Sequence, residues 1–338
     1  MGTYTVRGSQ ELDRRIEADL GQIAAAVEPY SIAGILIGGY GRGEGTPFIG
    51  PDGTQTPFND YDLIVVVEHV DDQVRQQFRT QERELTEKLG IHVDLCPYAL
   101  DRIPSCEFSL LNYEMKYGHR VVWGDEHILD SLPAYPHDAI PRAEGMRLLL
   151  NRGKLLLDLR LRLAVPDPMS DEERIRFFKF IQKAWLALGD CSLLAEGKYD
   201  LSYAVKGDRI GQIGEVPHRA EIIENFRAAA ELKAWGDYPA RLEGTDIAEA
   251  FQRVRPVFLA FFAWYRKHTP ARECSIAKAV ALNLKWNRWP YLHHPRRRLY
   301  AALPELLEDA PDKIFLGQAL CCSRDIEQRF YALQARFS

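Results

Sequence analysis

The chain has no C-x-x-C pair, and its six cysteines are scattered apart from the adjacent Cys321 and Cys322. That excludes a zinc ribbon and a disulfide framework, and a reducing cytoplasm is the expected setting. No run of about 18 apolar residues occurs, which excludes a transmembrane helix. The opening MGTYTVRGSQELDRRIE lacks the apolar core of a signal peptide, so none is expected. There is no low-complexity tract and no convincing internal repeat. What is present is ordinary for a globular protein: 338 residues, 46% hydrophobic and 27% charged. Such a chain can bury a sizeable core, and its length suggests two domains at about 150 residues each.

The net charge of −5 conceals an asymmetry. Residues 1–130 carry 22 acidic and 11 basic side chains, residues 131–338 carry 26 and 32, and 266–300 hold nine Lys/Arg against Glu273 alone. This pattern suits an acidic, metal-binding half beside a cationic surface, or simply two solvated faces.

The texture changes near residue 131. Before it, apolar or alternating runs at 31–39, 61–70, 91–98 and 119–124 read as strands, with helical spacing at 9–27 and 71–90 between them. Interleaved strands and helices indicate an α/β layer structure. SLPAYPHDAIPR at 131–142, with three prolines, is the expected linker. Beyond it, 147–164, 171–197, 218–236, 246–268, 296–309 and 315–337 carry helical periodicity. The expected architecture is a mixed α/β sheet domain over 1–138, followed by an all-α bundle of five to seven helices over 139–338.

Three features in the first hundred residues carry chemistry. Gly38-Gly39-Tyr40-Gly41-Arg42-Gly43-Glu44-Gly45 follows a strand. Glycines let backbone amides approach an anion, a following helix start adds its dipole, and Arg42 can add a phosphate contact. Asn59-Asp60-Tyr61-Asp62 opens the next strand, so Asp60 and Asp62 project from one face. Two carboxylates that close repel unless a cation lies between them, and hard oxygen ligands suit Mg²⁺ or Mn²⁺. Asp94 lies mid-strand between Val93 and Leu95, sharing a face with His92 and Cys96, and joins the pair if its strand neighbours theirs. Three carboxylates beside a phosphate-binding turn fit two-metal phosphoryl or nucleotidyl transfer. The glycines form neither a Walker A loop nor G-x-G-x-x-G, and a D-x-D pair opening a strand is not the ribose-binding acid of a dinucleotide fold.

Gly38-Gly39, Asp60/Asp62 and Asp94, in that order, resemble the DNA polymerase β-like nucleotidyltransferase superfamily over roughly residues 30–125. GGYGRGE is also similar to a stretch of the uridylyltransferases that modify the nitrogen-signalling PII protein. The twenty residues between Gly39 and Asp60 exceed the superfamily's usual spacing, and TPFIGPDGTQTPFND (46–60) reads as an inserted loop over the site. The resemblance implies a nucleotidyltransferase-type sheet and a helical domain that closes the nucleotide cleft and contacts the acceptor. Asp60, Asp62 and Asp94 then hold Mg²⁺ or Mn²⁺, with Asp94 near the acceptor hydroxyl. Gly38, Gly39, Tyr40 and Arg42 bind an NTP, ATP in the first instance. An NMP passes to a hydroxyl of a small molecule or a protein, with no membrane involved. The alternative is a non-catalytic nucleotide-binding or antitoxin-like protein that keeps the fold, and an RNA 3′-end nucleotidyltransferase comes third.

Other residues have competing readings. Glu44 suits a helix N-terminal acid without a catalytic role. His92 is read as an edge or core histidine, and Tyr40 either stacks on a base or packs. KWNRWPYLHHPRRRLY (285–300) interleaves aromatic and basic residues, which suits nucleic acid or a basic helix start against an acidic surface. Arg288-x4-His293 matches the spacing of HEPN ribonucleases, but Pro290 interrupts it. Lys179, Lys183 and GKYDLSYAVKGDR (197–209) form a further candidate surface.

Overall fold

The computed structural model describes residues 2–269, 276–287, 293–322 and 324–337; for 285–287 it describes the backbone. The Arg288-x4-His293 spacing and much of the 285–300 stretch lie outside the described residues. The elements run, in chain order, α1 (Gln10–Val27), β1 (Ala33–Leu36), α2 (Gly38–Gly41), β2 (Thr46–Ile49), β3 (Gln55–Phe58), β4 (Asp60–Val67), α3 (Asp72–Leu89), β5 (His92–Ala99), α4 (Leu110–Tyr117) and β6 (Arg120–Trp123). There follow α5 (Arg142–Leu163), α6 (Asp171–Ala195), α7 (Tyr203–Arg209), α8 (Arg219–Trp235), α9 (Tyr238–Leu242), α10 (Ile247–His268), α11 (Ile276–Asn287), α12 (Arg296–Leu306), α13 (Lys313–Leu320) and α14 (Ile326–Phe337). The molecule is thus mixed α/β, a small mixed sheet with many helices. Among the described residues, no helix is long and apolar enough to cross a membrane.

The chain forms two compact units. The first comprises Met1–Ile140, Tyr199–Arg209 and Ala230–Glu243; the second comprises Pro141–Lys198, Ile210–Ala229 and Gly244–Ser338. The two inserted segments of the first unit lie in the stretch that the sequence reading assigns wholly to the helical domain. The proline-rich stretch before Ile140 is packed rather than a free tether: Leu132, Tyr135 and Ile140 are buried, and Lys116 donates to the Leu132 carbonyl at 2.6 Å.

In the first unit the sheet order is β5-β4-β1-β6. β1 pairs antiparallel with β4 and β6, whereas β4 and β5 are parallel, joined by the crossover helix α3. Parallel neighbours need such a crossover. α3 is well delimited: Asp71 accepts from Val74 N at 2.8 Å, and Gly90 closes the helix in the left-handed region. One sheet face buries Tyr61, Leu63, Val65, Val93 and Leu95 with apolar residues of α1 and α3. The opposite face buries Ile35, Ile37, Ile64 and Val66 with Ile103, Met115, Leu129 and Leu132. β5 is an edge strand, and its outward N–H groups are occupied by α3: Thr86 accepts from Val93 N and Glu82 from Leu95 N. That removes a template for pairing with another chain.

Residues 46–58, expected as a loop, form the β2–β3 hairpin. Phe48, Phe58 and Tyr238 pack ring against tilted ring in series, with ring centroids 5.3 and 4.8 Å apart. Ile49 N donates to Gly236 O at 3.2 Å. Cross-strand aromatic pairing thus overrides the loop-like Pro/Gly composition.

The second unit contains α5, α6, most of α8, and α10 to α14 among the described residues. Ser170 and Glu173 form a capping box at the start of α6. Glycines at helix crossings permit close approach: a Cβ on Gly189 would fall 2.1 Å from the Phe226 ring. The segment 315–337, expected as one helix, is divided between α13 and α14, because Cys321 adopts φ 53 and ends α13.

Candidate functional site

β1 delivers the glycine run directly to the acid pair. Ile37 N donates to the Asp62 carbonyl at 2.9 Å. The next residue, Gly38, has φ +67, and a Cβ there would fall 2.6 Å from Asp62 Oδ2. Glycine is required twice over, by the left-handed backbone and by the carboxylate beside it. α2 begins here, and its first amides have no intrahelical acceptor. A Cβ on Gly39 would lie 3.2 Å from Lys233 Nζ. The further glycines have packing reasons: Gly41 lies against Leu36 O, and Gly45 against the Tyr40 ring.

The three acids share one face of two neighbouring strands. In the parallel β4–β5 register, Asp60 pairs with His92 and Asp62 with Asp94. Alternation then places Asp60, Asp62, His92 and Asp94 on the face that carries Ile64 and Val66 further along β4. The polar group occupies the start of the face, and the apolar cluster takes over from Ile64. Asp60 and Asp62 are half-buried and Asp94 is exposed. Beside Asp94, burial pushes the Glu82 carboxyl above its ordinary pKa; the Leu95 N–H opposes this, and the hydrogen-bonded Asp94 charge adds to it.

Whether these residues suit a cation follows from their chemistry and placement. Three carboxylates on adjacent strand positions fit a hard divalent ion in kind. Among the described residues, no three His, Cys, Asp or Glu side chains are gathered around one point in a metal-holding arrangement.

The comparisons add no relative: no protein-family model, curated protein or solved structure matches the chain. Function therefore rests on the geometry.

Two residues expected to touch nucleotide are committed elsewhere. Tyr40 is 3% exposed. Its hydroxyl lies 3.0 Å from Thr46 O and 2.9 Å from Phe58 O, and accepts from Phe58 N at 2.7 Å. It clamps the root of the hairpin rather than offering a face to a base. Arg42 is largely buried and pairs with Glu114 at 3.0 Å. Burial opposes its charge, but Glu114 and the neighbouring Tyr203, Tyr199 and Glu44 outweigh this and hold its pKa above the ordinary value. Glu44 does cap a helix start, but a distant one: its carboxylate accepts from Tyr203 N, at the head of α7, and from Ser202 Oγ at 2.8 Å. Lys179 and Lys183 lie half-buried on α6 in the second unit.

Lys233 is the residue that sequence reasoning missed. Its ammonium donates to Glu44 O at 3.0 Å and Thr46 Oγ1 at 3.3 Å. It also lies 5.6 Å from the centre of the Tyr203 ring, whose face Lys206 approaches to 3.7 Å. Lys206, inside the flagged 197–209 segment, is buried. Lys233 thus accompanies the glycine turn, with Lys206 on the Tyr203 ring. The signal was faint: Lys233 stands near the end of an amphipathic helix, nearly two hundred residues after the turn.

Proposed function

We propose that the first unit is a nucleotidyltransferase domain of the DNA polymerase β-like kind. It moves an NMP from an NTP, ATP in the first instance, to a hydroxyl of a small molecule or a protein. The observation that carries this reading is the meeting of Gly38 with Asp62, with Asp94 as the register partner of Asp62. A glycine turn against one carboxylate of a row would offer what transfer at a phosphorus needs: donors for the phosphate oxygens and anchors for counter-charge.

Asp60, Asp62 and Asp94 would have to draw together to hold Mg²⁺ or Mn²⁺, which would supply charge neutralisation on the triphosphate. The opening amides of α2 donate to phosphate oxygens. Lys233, beside Gly39, balances the negative charge that grows on the leaving group. Asp94, the most exposed of the three acids, takes the proton of the acceptor hydroxyl. The acceptor oxygen then bonds to the α-phosphorus as the bond to the β-phosphate oxygen breaks, and pyrophosphate leaves. The protein contributes position and charge rather than a covalent intermediate.

The test uses four α-labelled NTPs with Mg²⁺ or Mn²⁺ and cell extract split into small-molecule, protein and RNA fractions. Label should enter one fraction with the wild-type protein and not with the Asp60→Ala/Asp62→Ala variant. Equal labelling by both proteins, or no label and no pyrophosphate from either, overturns the reading. The second result leaves a nucleotide-binding protein without transfer.

A further inference from the structure

Glu44 stands at the exit of the glycine run, flanked by Gly43 and Gly45. Its backbone is bound to the turn: Glu44 N donates to Gly39 O at 2.8 Å. Its carbonyl accepts from Lys233 Nζ at 3.0 Å, and Thr46 Oγ1 lies 3.3 Å from the same ammonium. A Cβ on Gly39 would fall 3.1 Å from Glu44 O and 3.2 Å from Lys233 Nζ, so turn, carbonyl and ammonium converge. The side chain, half-buried, reaches a different late segment. Its carboxylate accepts from Ser202 Oγ at 2.8 Å and from Tyr203 N at 3.1 Å, both at Oε1. The centre of the Tyr203 ring lies 5.6 Å from Lys233 Nζ, within cation–π range. One residue therefore ties the head of α7 and the end of α8 to the glycine turn.

Charge does not account for an acid at this place. A carboxylate beside a phosphate-binding turn repels the phosphate. The donors to Glu44 are a backbone amide and a hydroxyl, both neutral, so these contacts need an acceptor rather than a negative charge. Position does account for it. A lysine stem has many rotamers, and fixing its ammonium at one point takes contacts on more than one side. The Glu44 carbonyl, Thr46 Oγ1 and the Tyr203 ring supply them. The Glu44 carboxylate in turn fixes the backbone from which that ring projects.

We propose that Glu44 is a positioning residue for phosphate binding: its carboxylate holds Tyr203, and the Tyr203 ring and the Glu44 carbonyl hold the Lys233 ammonium at Gly39. The phosphate rests on the transfer reading above; the coupling of Glu44 to Lys233 does not.

The test compares wild type, Glu44→Ala, Glu44→Gln, Tyr203→Leu, Lys233→Met and the Glu44→Ala/Lys233→Met double variant as full chains. Reductive methylation, read by peptide mass spectrometry, reports how firmly Lys233 is held with no ligand present. Calorimetry with Mg²⁺ and α,β-methylene-ATP, and with inorganic tripolyphosphate, reports phosphate binding. Lys233 should be methylated about fivefold faster in Glu44→Ala and Tyr203→Leu, and at the wild-type rate in Glu44→Gln, whose amide oxygen keeps both donors. Charge alone predicts tighter phosphate binding once Glu44 is removed. Positioning predicts the opposite sign for Glu44→Ala, about five- to tenfold weaker binding, with Glu44→Gln as tight as wild type or tighter. The double variant should bind no more weakly than Lys233→Met, because both changes act on one ammonium. Methylation of Lys233 unchanged in Glu44→Ala overturns the proposal. Where wild type binds the probes, so does Glu44→Ala binding as tightly, Glu44→Gln as damaged as Glu44→Ala, or additive losses in the double variant. If Glu44→Ala misfolds, Tyr203→Leu, which keeps the carboxylate, decides by the same two readouts. Faster methylation with neither probe bound by wild type overturns the transfer reading and keeps the coupling of Glu44 to Lys233. Transfer by a wild-type protein whose Lys233 is indifferent to both substitutions does the reverse.

Discussion

Gly38 and Asp62 stand so close that a single added carbon would separate them: a Cβ on Gly38 would lie 2.6 Å from Asp62 Oδ2. The contact is made by the antiparallel β1–β4 pair, which places the end of one strand beside the start of the other. Gly38→Ala therefore strains a left-handed backbone and pushes the carboxylate away. The expected cost is about 1–2 kcal/mol in urea unfolding, from the backbone alone. Transfer should fall much further than stability, by about two orders of magnitude, since the turn and the acid are displaced together. Full activity in a Gly38→Ala protein that folds would show that this contact is mere packing.

Lys233 has a separable role. Lys233→Met keeps the aliphatic stem and removes the charge beside Gly39. If the ammonium faces the triphosphate, the KM for NTP should rise about tenfold, and the rise should shrink as salt is added. Lys233→Arg should recover part of the loss. A variant with lowered Tm and unchanged KM would confine Lys233 to holding Glu44 O and Thr46.

Tyr40 makes a stability prediction. Tyr40→Phe leaves Phe58 N without its side-chain acceptor in a part-buried setting. The expected loss is about 1–3 kcal/mol, with faster amide exchange concentrated in β2 and β3. Nucleotide affinity should change little, because the ring is buried beneath the hairpin. A loss of nucleotide binding with the hairpin still protected would return Tyr40 to the binding site.

These residues also mark how far the sequence could be read. β1, β4, β5 and β6 are visible in their apolar runs, and α1 and α3 in their periodicity and caps, because those signals are local. The D-x-D pair is visible because alternation alone sets its face. The pairing of Asp62 with Asp94 is not, since register is fixed by how strands pack and not by either strand. The hairpin is hidden by composition: prolines and glycines signal a loop, while Phe48 and Phe58 find Tyr238 only in the folded unit. Lys233 and the role of Glu44 depend on segments that return to the first unit late in the chain. The break at Cys321 lacks the glycine or proline that usually announces a helix end.

In the second unit, acid stability should hinge on the Arg162–Glu173 pair. Hydrogen bonding from Arg162, aided by the Ser170 N–H, holds the Glu173 carboxyl down at about 2, against an ordinary 4.5. A depressed carboxyl means that the unfolded chain binds the proton more readily than the folded one. The stabilisation is therefore complete above the ordinary value and is lost as pH falls from about 4.5 through about 2. Glu173 also closes the capping box of α6, so its protonation loosens the start of that helix and its tie to α5 together. Thermal unfolding followed from pH 6 down to pH 2 should show a steeper fall in Tm for wild type than for Glu173→Gln, with the two curves converging at the acid end. Parallel curves across that range would mean that solvent screens the pair and that the cap acts without its charge.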